Sequence, residues 1–399
     1  MGSMALTEPD AGSDLQAVML KAINEGDKWY LNGSKRFITN GCADISLVLA
    51  RSEDGSKDGR GLSLFVYERD KNMIIRRIEH KLGIHGSPTC ELQFNKAEAE
   101  LLGSRRMGLI KYTMSLMNGA RLGIGAQSLG IAEAAYREAY KYAGERNQFR
   151  KNIRDFSAVY EMLSDMKVNI EAGRTLLYET SRIVDIKEGI EDVIEHDPSK
   201  KNEYKVDLAK YTKLAALFTP LLKAYNTEMA NKVCYDALQI HGGVGFTTEF
   251  NVERHTRDVR ITNIYEGTTQ LQVVAAIGGV TSGLVLDYLS EFEKKNDLAK
   301  DNDQFNSIKK MKDELEKAIT HVKNKNDLIV SEFHARRLVE MAEDTVLSYL
   351  FCRDAKIKDR KKSVRDVFIS KAKYRVSSLC DFVCADEYST IELHKNIID

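Results

Sequence analysis

The feature that most constrains this chain is a change of pattern near Met107. Before it lie short alternating runs broken by glycine; after it come long alanine-rich stretches almost free of proline. Only 4 prolines occur in 399 residues, so little in the sequence interrupts a helix. Residues 1–103 read as β-rich, starting in a strand and a loop. "KWYLNGSKRFIT" alternates aromatic and polar positions around an Asn-Gly pair, which predicts a hairpin. "DISLVLARS", "GLSLFVYERD" and "CELQFNKAEAELLG" predict further strands.

Beyond Met107, "TMSLMNGARLGIGAQSLGIAEAAYREAYKYAGERNQF" predicts a helix of several turns. In the next stretch Phe156, Val159, Leu163, Met166 and Ile170 recur at spacings of three and four, one apolar helix face. A third helical region closes at Gly242 and Gly243, a C-cap signal, with Pro220 set to bend or divide it. The polar stretch 187–205 reads as a solvated loop or a helix end. Residues 281–399, rich in lysine and glutamate with helical periodicity, predict an appended helical domain. The chain is thus read as α+β, with domains at 1–103, 104–280 and 281–399.

Lysine plus arginine equals aspartate plus glutamate at 59 each, so no net field favours nucleic acid or a membrane surface. No apolar run is long enough for a membrane span, and the start does not resemble a signal peptide. The 6 cysteines lack metal-ligand spacing; Cys380 and Cys384, four apart, read as buried or free thiols rather than a disulfide or redox switch, and a reducing compartment, most simply the cytoplasm, is expected. His241 and His255 are likewise not spaced as metal ligands, and no metal site is expected.

Four stretches could carry chemistry, and each has a plain structural alternative. "MALTEPDAGSDLQAV" is a turn with an Asx or Ser cap, or a loop whose hydroxyls and amides bind phosphate or carbonyl oxygens. "QIHGGVGF" follows a helix, so it is a terminator or a close backbone approach to a cofactor, not a strand–turn–helix dinucleotide fingerprint. Arg146 in "GERNQF" suits bidentate phosphate contact or a surface ion pair. Glu266 in "ITNIYEGTTQ", between charged and apolar sequence, is a helix cap, a solvated charge or a working base.

Taken in order, "LTEPDAGSD", "RFITNG", "NGARLGIGA", "ERNQF", "QIHGGVGF" and "RDVRITNIYEGTTQ" resemble the acyl-CoA dehydrogenase family of flavoproteins, over about residues 4–277. "IEHKLGIHGSPTC" and the appended helices further resemble a bacterial subgroup that includes broad acyl-CoA and methylmercaptopropionyl-CoA dehydrogenases. The resemblance implies a middle β-barrel-like domain, a C-terminal four-helix-bundle domain and an extra helical extension. It also implies FAD-dependent dehydrogenation of an acyl-CoA to the trans-2-enoyl-CoA in fatty-acid β-oxidation. In that reaction Glu266 removes the α-proton and flavin N5 accepts the β-hydride. An ordinary glutamate is too weak a base for a thioester α-proton, whereas a buried one is stronger. The thioester carbonyl is held in the family by the backbone N–H of this glutamate and a flavin ribitol hydroxyl, which stabilise the developing enolate.

By position, the resemblance assigns FAD contacts to Met4, Leu6, Thr7, Ser13, Phe37, Ile38, Thr39, Gln239, Ile240, Gly242, Gly243, Thr268 and Gln270. Arg146, Gln148 and Phe149 match positions that reach the FAD of a neighbouring subunit, implying a homodimer or homotetramer. Ser13, Asn118, Arg121, Tyr265 and Gly267 match the substrate-binding set. Electron-transfer flavoprotein is the implied partner. Ser157 and Val273 depart from the glutamine and arginine common at those positions in the family.

Members of the family begin with a helical domain of ~100 residues, within ordinary domain size; this sequence starts at the β-domain that follows it. The expectation is a shortened chain, a split gene whose other half is a separate N-terminal helical chain, or a degenerate paralogue. An alternative function follows from that: a truncated, non-catalytic subunit that binds acyl-CoA or a partner.

Overall fold

The computed structural model describes residues 1–300 and 303–399, which fall into two compact units, 1–120 and 121–399. In the first unit, strands β1 (Gly2–Ala5), β2 (Lys21–Glu25), β3 (Lys28–Thr39), β4 (Ile45–Arg51), β5 (Leu62–Glu68), β6 (Met73–Ile78) and β7 (Thr89–Leu102) form one sheet. The pairings β4–β2–β3–β7–β5 return to β4, so the sheet closes as a barrel, with β1 beside β4 and β6 beside β7. Leu31, Val48, Phe65, Leu92 and Phe94 fill its interior. Trp29, the chain's 1 tryptophan, packs on Phe65 with ring centroids 5.4 Å apart.

The hairpin expected at Asn32-Gly33 is not there. "KWYLNGSKRFIT" is one continuous strand, and the turn lies earlier, at Gly26 (φ 71°), between the paired Glu25 and Lys28. Asn32 and Gly33 instead mark a bulge: the register against β7 shifts at Leu31/Asn32, and the Asn32 carboxamide accepts from the Lys96 N–H at 2.8 Å. Gly33 has φ 136°, and a Cβ there would lie 3.0 Å from the Leu20 Cα, so only glycine lets this strand pass.

A buried ion pair shapes the "TEPDAGSD" loop. Lys35, fully buried on β3, donates from Nζ to the Leu6 carbonyl and to Glu8 Oε1, both at 2.8 Å. Glu8 also accepts from the Met19 and Leu20 N–H groups at 2.8 and 3.0 Å. Burial pushes the Lys35 ammonium down to about 8, against the pull of Glu8. The loop after β1 is therefore pinned from inside, while Gly12 and Ser13 stay exposed.

The second unit is helical. Helix α1 (Met114–Glu145), whose first turns belong to the first unit, follows a π-helical turn at Gly108–Thr113. After it come α2 (Ser157–His196), α3 (Lys201–His241), α4 (Val252–Val259), α5 (Thr269–Thr281), α6 (Leu284–Lys295), α7 (Phe305–Lys325), α8 (Leu328–Ile357), α9 (Arg360–Cys384) and α10 (Ser389–Ile398). Pro220 sits inside α3 without ending it. Most of the 187–205 stretch is helix: α2 runs to His196, and a short turn at Pro198–Lys200, capped by Asp197, leads straight into α3. The core of this unit runs without a break across residue 280, joining Leu176, Phe218 and Val273 to Leu289, Leu338 and Phe368. Among the described residues no single helix is long and apolar enough to cross a membrane.

Replacing Lys35 with methionine leaves Glu8 as a buried carboxylate without its cation, a loss of about 3–5 kcal/mol. Trp29 reports on the barrel alone, so the urea midpoint read by its fluorescence should fall while helical circular dichroism keeps its own midpoint. An unchanged tryptophan transition in K35M contradicts this role.

Candidate active site

The loop that joins α4 to α5 is held in an uncommon shape. A 3-10 turn covers Arg260–Asn263, and then Glu266 and Gly267 take φ 54° and 87° in succession. Glycine adopts this region freely; for the glutamate it costs about 1–2 kcal/mol. Neighbouring helices supply the restraint. The Gly267 carbonyl accepts from Lys223 Nζ on α3 at 2.5 Å and from Gln272 Nε2 on α5 at 2.9 Å. Gln272 Nε2 also lies 3.3 Å from the Glu266 carbonyl. A Cβ at residue 267 would stand 2.8 Å from Gln272 Nε2 and so force this clamp apart.

The side chain of Glu266 is neither a cap nor a solvated charge. Helix α5 is capped by Thr268, whose hydroxyl accepts from the Leu271 N–H at 3.4 Å. Glu266 Oε2 is buried and accepts no hydrogen bond. Burial pushes this carboxyl above its ordinary range, while Lys223 and then Arg121 pull it back. Both cations are themselves shifted by burial: Lys223 goes down to about 8, with Arg121 adding repulsion, and Arg121 also goes down. Glu266 Oε2 is thus out of solvent with no donor on it, and of the three sequence alternatives the helix cap falls to Thr268.

Arg121 (8% exposed, on α1), Tyr265, Glu266 and Gly267 gather around this loop, and Tyr265 donates its hydroxyl to Gln127 Oε1. The other expected residues lie on separate elements. Asn118 is exposed on α1, and Gln270 is exposed at the start of α5. Arg146, Gln148 and Phe149 are exposed on a small hairpin, Asn147–Gln148 against Lys151–Asn152, where Phe149 has φ 50° and is 87% exposed. At the end of α3, Gln239, Gly242 and Gly243 are exposed and Ile240 is buried. His241 there is a core histidine, its Nδ1 2.8 Å from the Ala237 carbonyl and its ring stacked on Tyr142 at 4.4 Å.

On the first unit, Met4 and Thr7 are half-buried, Leu6 is buried and Ser13 is exposed. The Thr7 carbonyl accepts from the Arg36 N–H at 2.9 Å. Phe37 (φ 59°) and Thr39 face outward from β3, whereas the Ile38 side chain points into the barrel, which leaves only its backbone for a ligand.

Sequence reasoning missed Lys223, Gln272 and Gln127. Lys223 left one trace, a lone lysine inside the apolar run "FTPLLKAY". Gln272 and Gln127 left none, because their roles come from helix packing.

Comparison with known proteins matches these elements to family models. Residues 3–97 match the acyl-CoA dehydrogenase middle domain, 110–277 its C-terminal domain and 281–389 a further acyl-CoA dehydrogenase C-terminal model. The caffeyl-CoA reductase–Etf complex subunit CarC of Acetobacterium woodii is 36% identical over 71% of this chain and 68% of its own length. The structure of butyryl-CoA dehydrogenase from Megasphaera elsdenii aligns with a TM-score of 0.60 at 36% identity, covering 70% of this chain and 68% of that one. An acyl-CoA dehydrogenase from Bacillus anthracis, complexed with FAD, shares the fold over 96% of this chain and 68% of its own, with a TM-score of 0.81 at 23% identity.

Because Lys223 pulls the Glu266 carboxyl down, K223M should move its titration to higher pH. Carbon-13 glutamate NMR, with E266Q to assign the resonance, reads this directly. An unmoved midpoint shows that Lys223 does not act on Glu266.

Proposed function

This chain belongs to the acyl-CoA dehydrogenase family, and we propose that its Glu266 removes the α-proton of an acyl-CoA thioester in forming the trans-2-enoyl-CoA, as in fatty-acid β-oxidation. The observation that carries the reading is the buried, unpartnered Oε2 of Glu266, raised in basicity by burial against the opposing pull of two cations. A thioester α-proton needs a base stronger than a solvated carboxylate, and desolvation supplies that strength. Lys223 and Gln272 act as positioning residues, because they hold the backbone on which Glu266 is mounted. The backbone N–H of Glu266 belongs to the same fixed turn, which suits it to hold the thioester oxygen as enolate charge develops.

FAD, when bound, supplies the two-electron acceptor for the hydride leaving Cβ. The residues fit such a group. Phe37 and Thr39 are exposed on either side of buried Ile38, with the Arg36 guanidinium 4.7 Å from the centre of the Phe37 ring. On the first unit Thr7, Ser13, Phe37 and Thr39 would hold it. The FAD named with the Bacillus anthracis relative supports this choice.

The Etf named with the CarC relative supports electron-transfer flavoprotein as the electron acceptor. Reoxidation of the reduced protein by air as fast as by that flavoprotein would count against it. The exposed Phe149 at its strained turn supports a second copy of the chain that covers it. Sedimentation velocity that finds only monomer at micromolar concentration contradicts this part.

Reduction of FAD by a panel of acyl-CoAs, followed by bleaching of the flavin absorbance, tests the main reading. E266Q should keep its flavin and slow reduction about 10²–10⁴-fold. The wild-type rate should fall as pH drops through the raised Glu266 pKa, because protonation removes the base, and should level off above it. Flavin reduction in E266Q at the wild-type rate, or a pH profile set only by an ordinary carboxylate, overturns the assignment.

A further inference from the structure

Behind that loop, helices α2, α3, α8 and α9 of the second unit line a groove of about 750 Å³. A smaller recess of about 150 Å³ opens beside it, and Glu228, Glu340 and Glu343 line both. Most charges around the groove are matched. Lys232 pairs with Asp236 and Arg375 with Asp344, each at 2.5 Å, and Arg336 pairs with Glu340 at 2.8 Å. Two carboxyl groups at the shared floor differ. Glu228 accepts only from neutral groups, Thr269 at 2.5 Å and Asn263 at 3.2 Å. Glu343 is 8% exposed, and its Oε1 is buried with no hydrogen-bond partner.

We propose that this groove binds a primary aliphatic amine, with its ammonium group donating to Glu343 and Glu228 and its carbon chain lying along Met162, Met229 and Leu379. An unpaired buried carboxyl is costly, and a hydrogen-bonding cation is the complement that relieves it. Burial and the neighbouring Glu340 and Asp344 push the Glu343 carboxyl well above its usual range, against the pull of Arg336, which is itself paired with Glu340. The walls select against a bare ion. Met162, Met166, Val233 and Leu379 give the groove a carbon-lined length that only an organic cation covers. Among the described residues no group of three acidic, histidine or cysteine side chains is arranged to hold a metal ion.

Isothermal titration of the whole chain with hexylamine, hexanol and potassium chloride tests the proposal. Hexylamine should bind at least tenfold more tightly than either control. E343Q removes the charge that meets the ammonium group and should weaken hexylamine at least tenfold. Met162→Trp fills the groove without touching a carboxylate and should weaken it as much, which keeps the test open if E343Q fails to fold. Hexylamine binding no tighter than hexanol or potassium, or unchanged in a folded variant, overturns the proposal. So does occupancy by lysine-containing peptides with no response to the free amine.

Discussion

Two hydrogen bonds to one carbonyl oxygen, that of Gly267, fix the geometry on which the rest depends. One donor is the ammonium of Lys223 on α3 and the other the carboxamide of Gln272 on α5. Without them a non-glycine residue at φ 54° would relax. With them, Glu266 stays where burial and two cations act on it together. Burying Arg121, Lys223 and Glu266 in one place is expensive, and removing any one leaves the others uncompensated. Packing of α1, α3 and α5 meets that expense: Arg121 comes from the first helix, Lys223 from the second and Gln272 from the third.

Much of this was legible in the sequence, for physical reasons that differ from place to place. The long helices declared themselves by three-and-four spacing and by scarce proline, and α3 ended at Gly242 as its glycine pair suggested. Asn32-Gly33 misled because the pair satisfies two demands that look alike in sequence. A turn needs a positive φ, and so does a bulge passing close to Leu20. Glu266 could be found because its loop is local. Its supports could not be, since a lysine within a helical pattern ordinarily reads as a solvated charge. Only the crossing of α3 beneath the loop makes Lys223 a buried donor.

The helices after residue 280 read as an appendage because their composition shifts toward lysine and glutamate. Their inner faces, however, complete the same core as α2, α3 and α5. Helix α8 is buried almost continuously from Met341 to Cys352, so no amphipathic stripe marked its role. Polar side chains inside that buried stretch, Glu343 and Asp344 among them, were invisible as such from sequence. Asp344 found an arginine there, and Glu343 did not.

The central claim, that Glu266 is the proton acceptor, is tested most directly without any net oxidation. A 3-thia-acyl-CoA has acidic α-protons but no β-carbon that can yield a hydride. In deuterium oxide the wild-type chain should exchange those α-protons for deuterium, read by proton NMR, and E266Q should not. Exchange that persists in E266Q at the wild-type rate would place the base elsewhere.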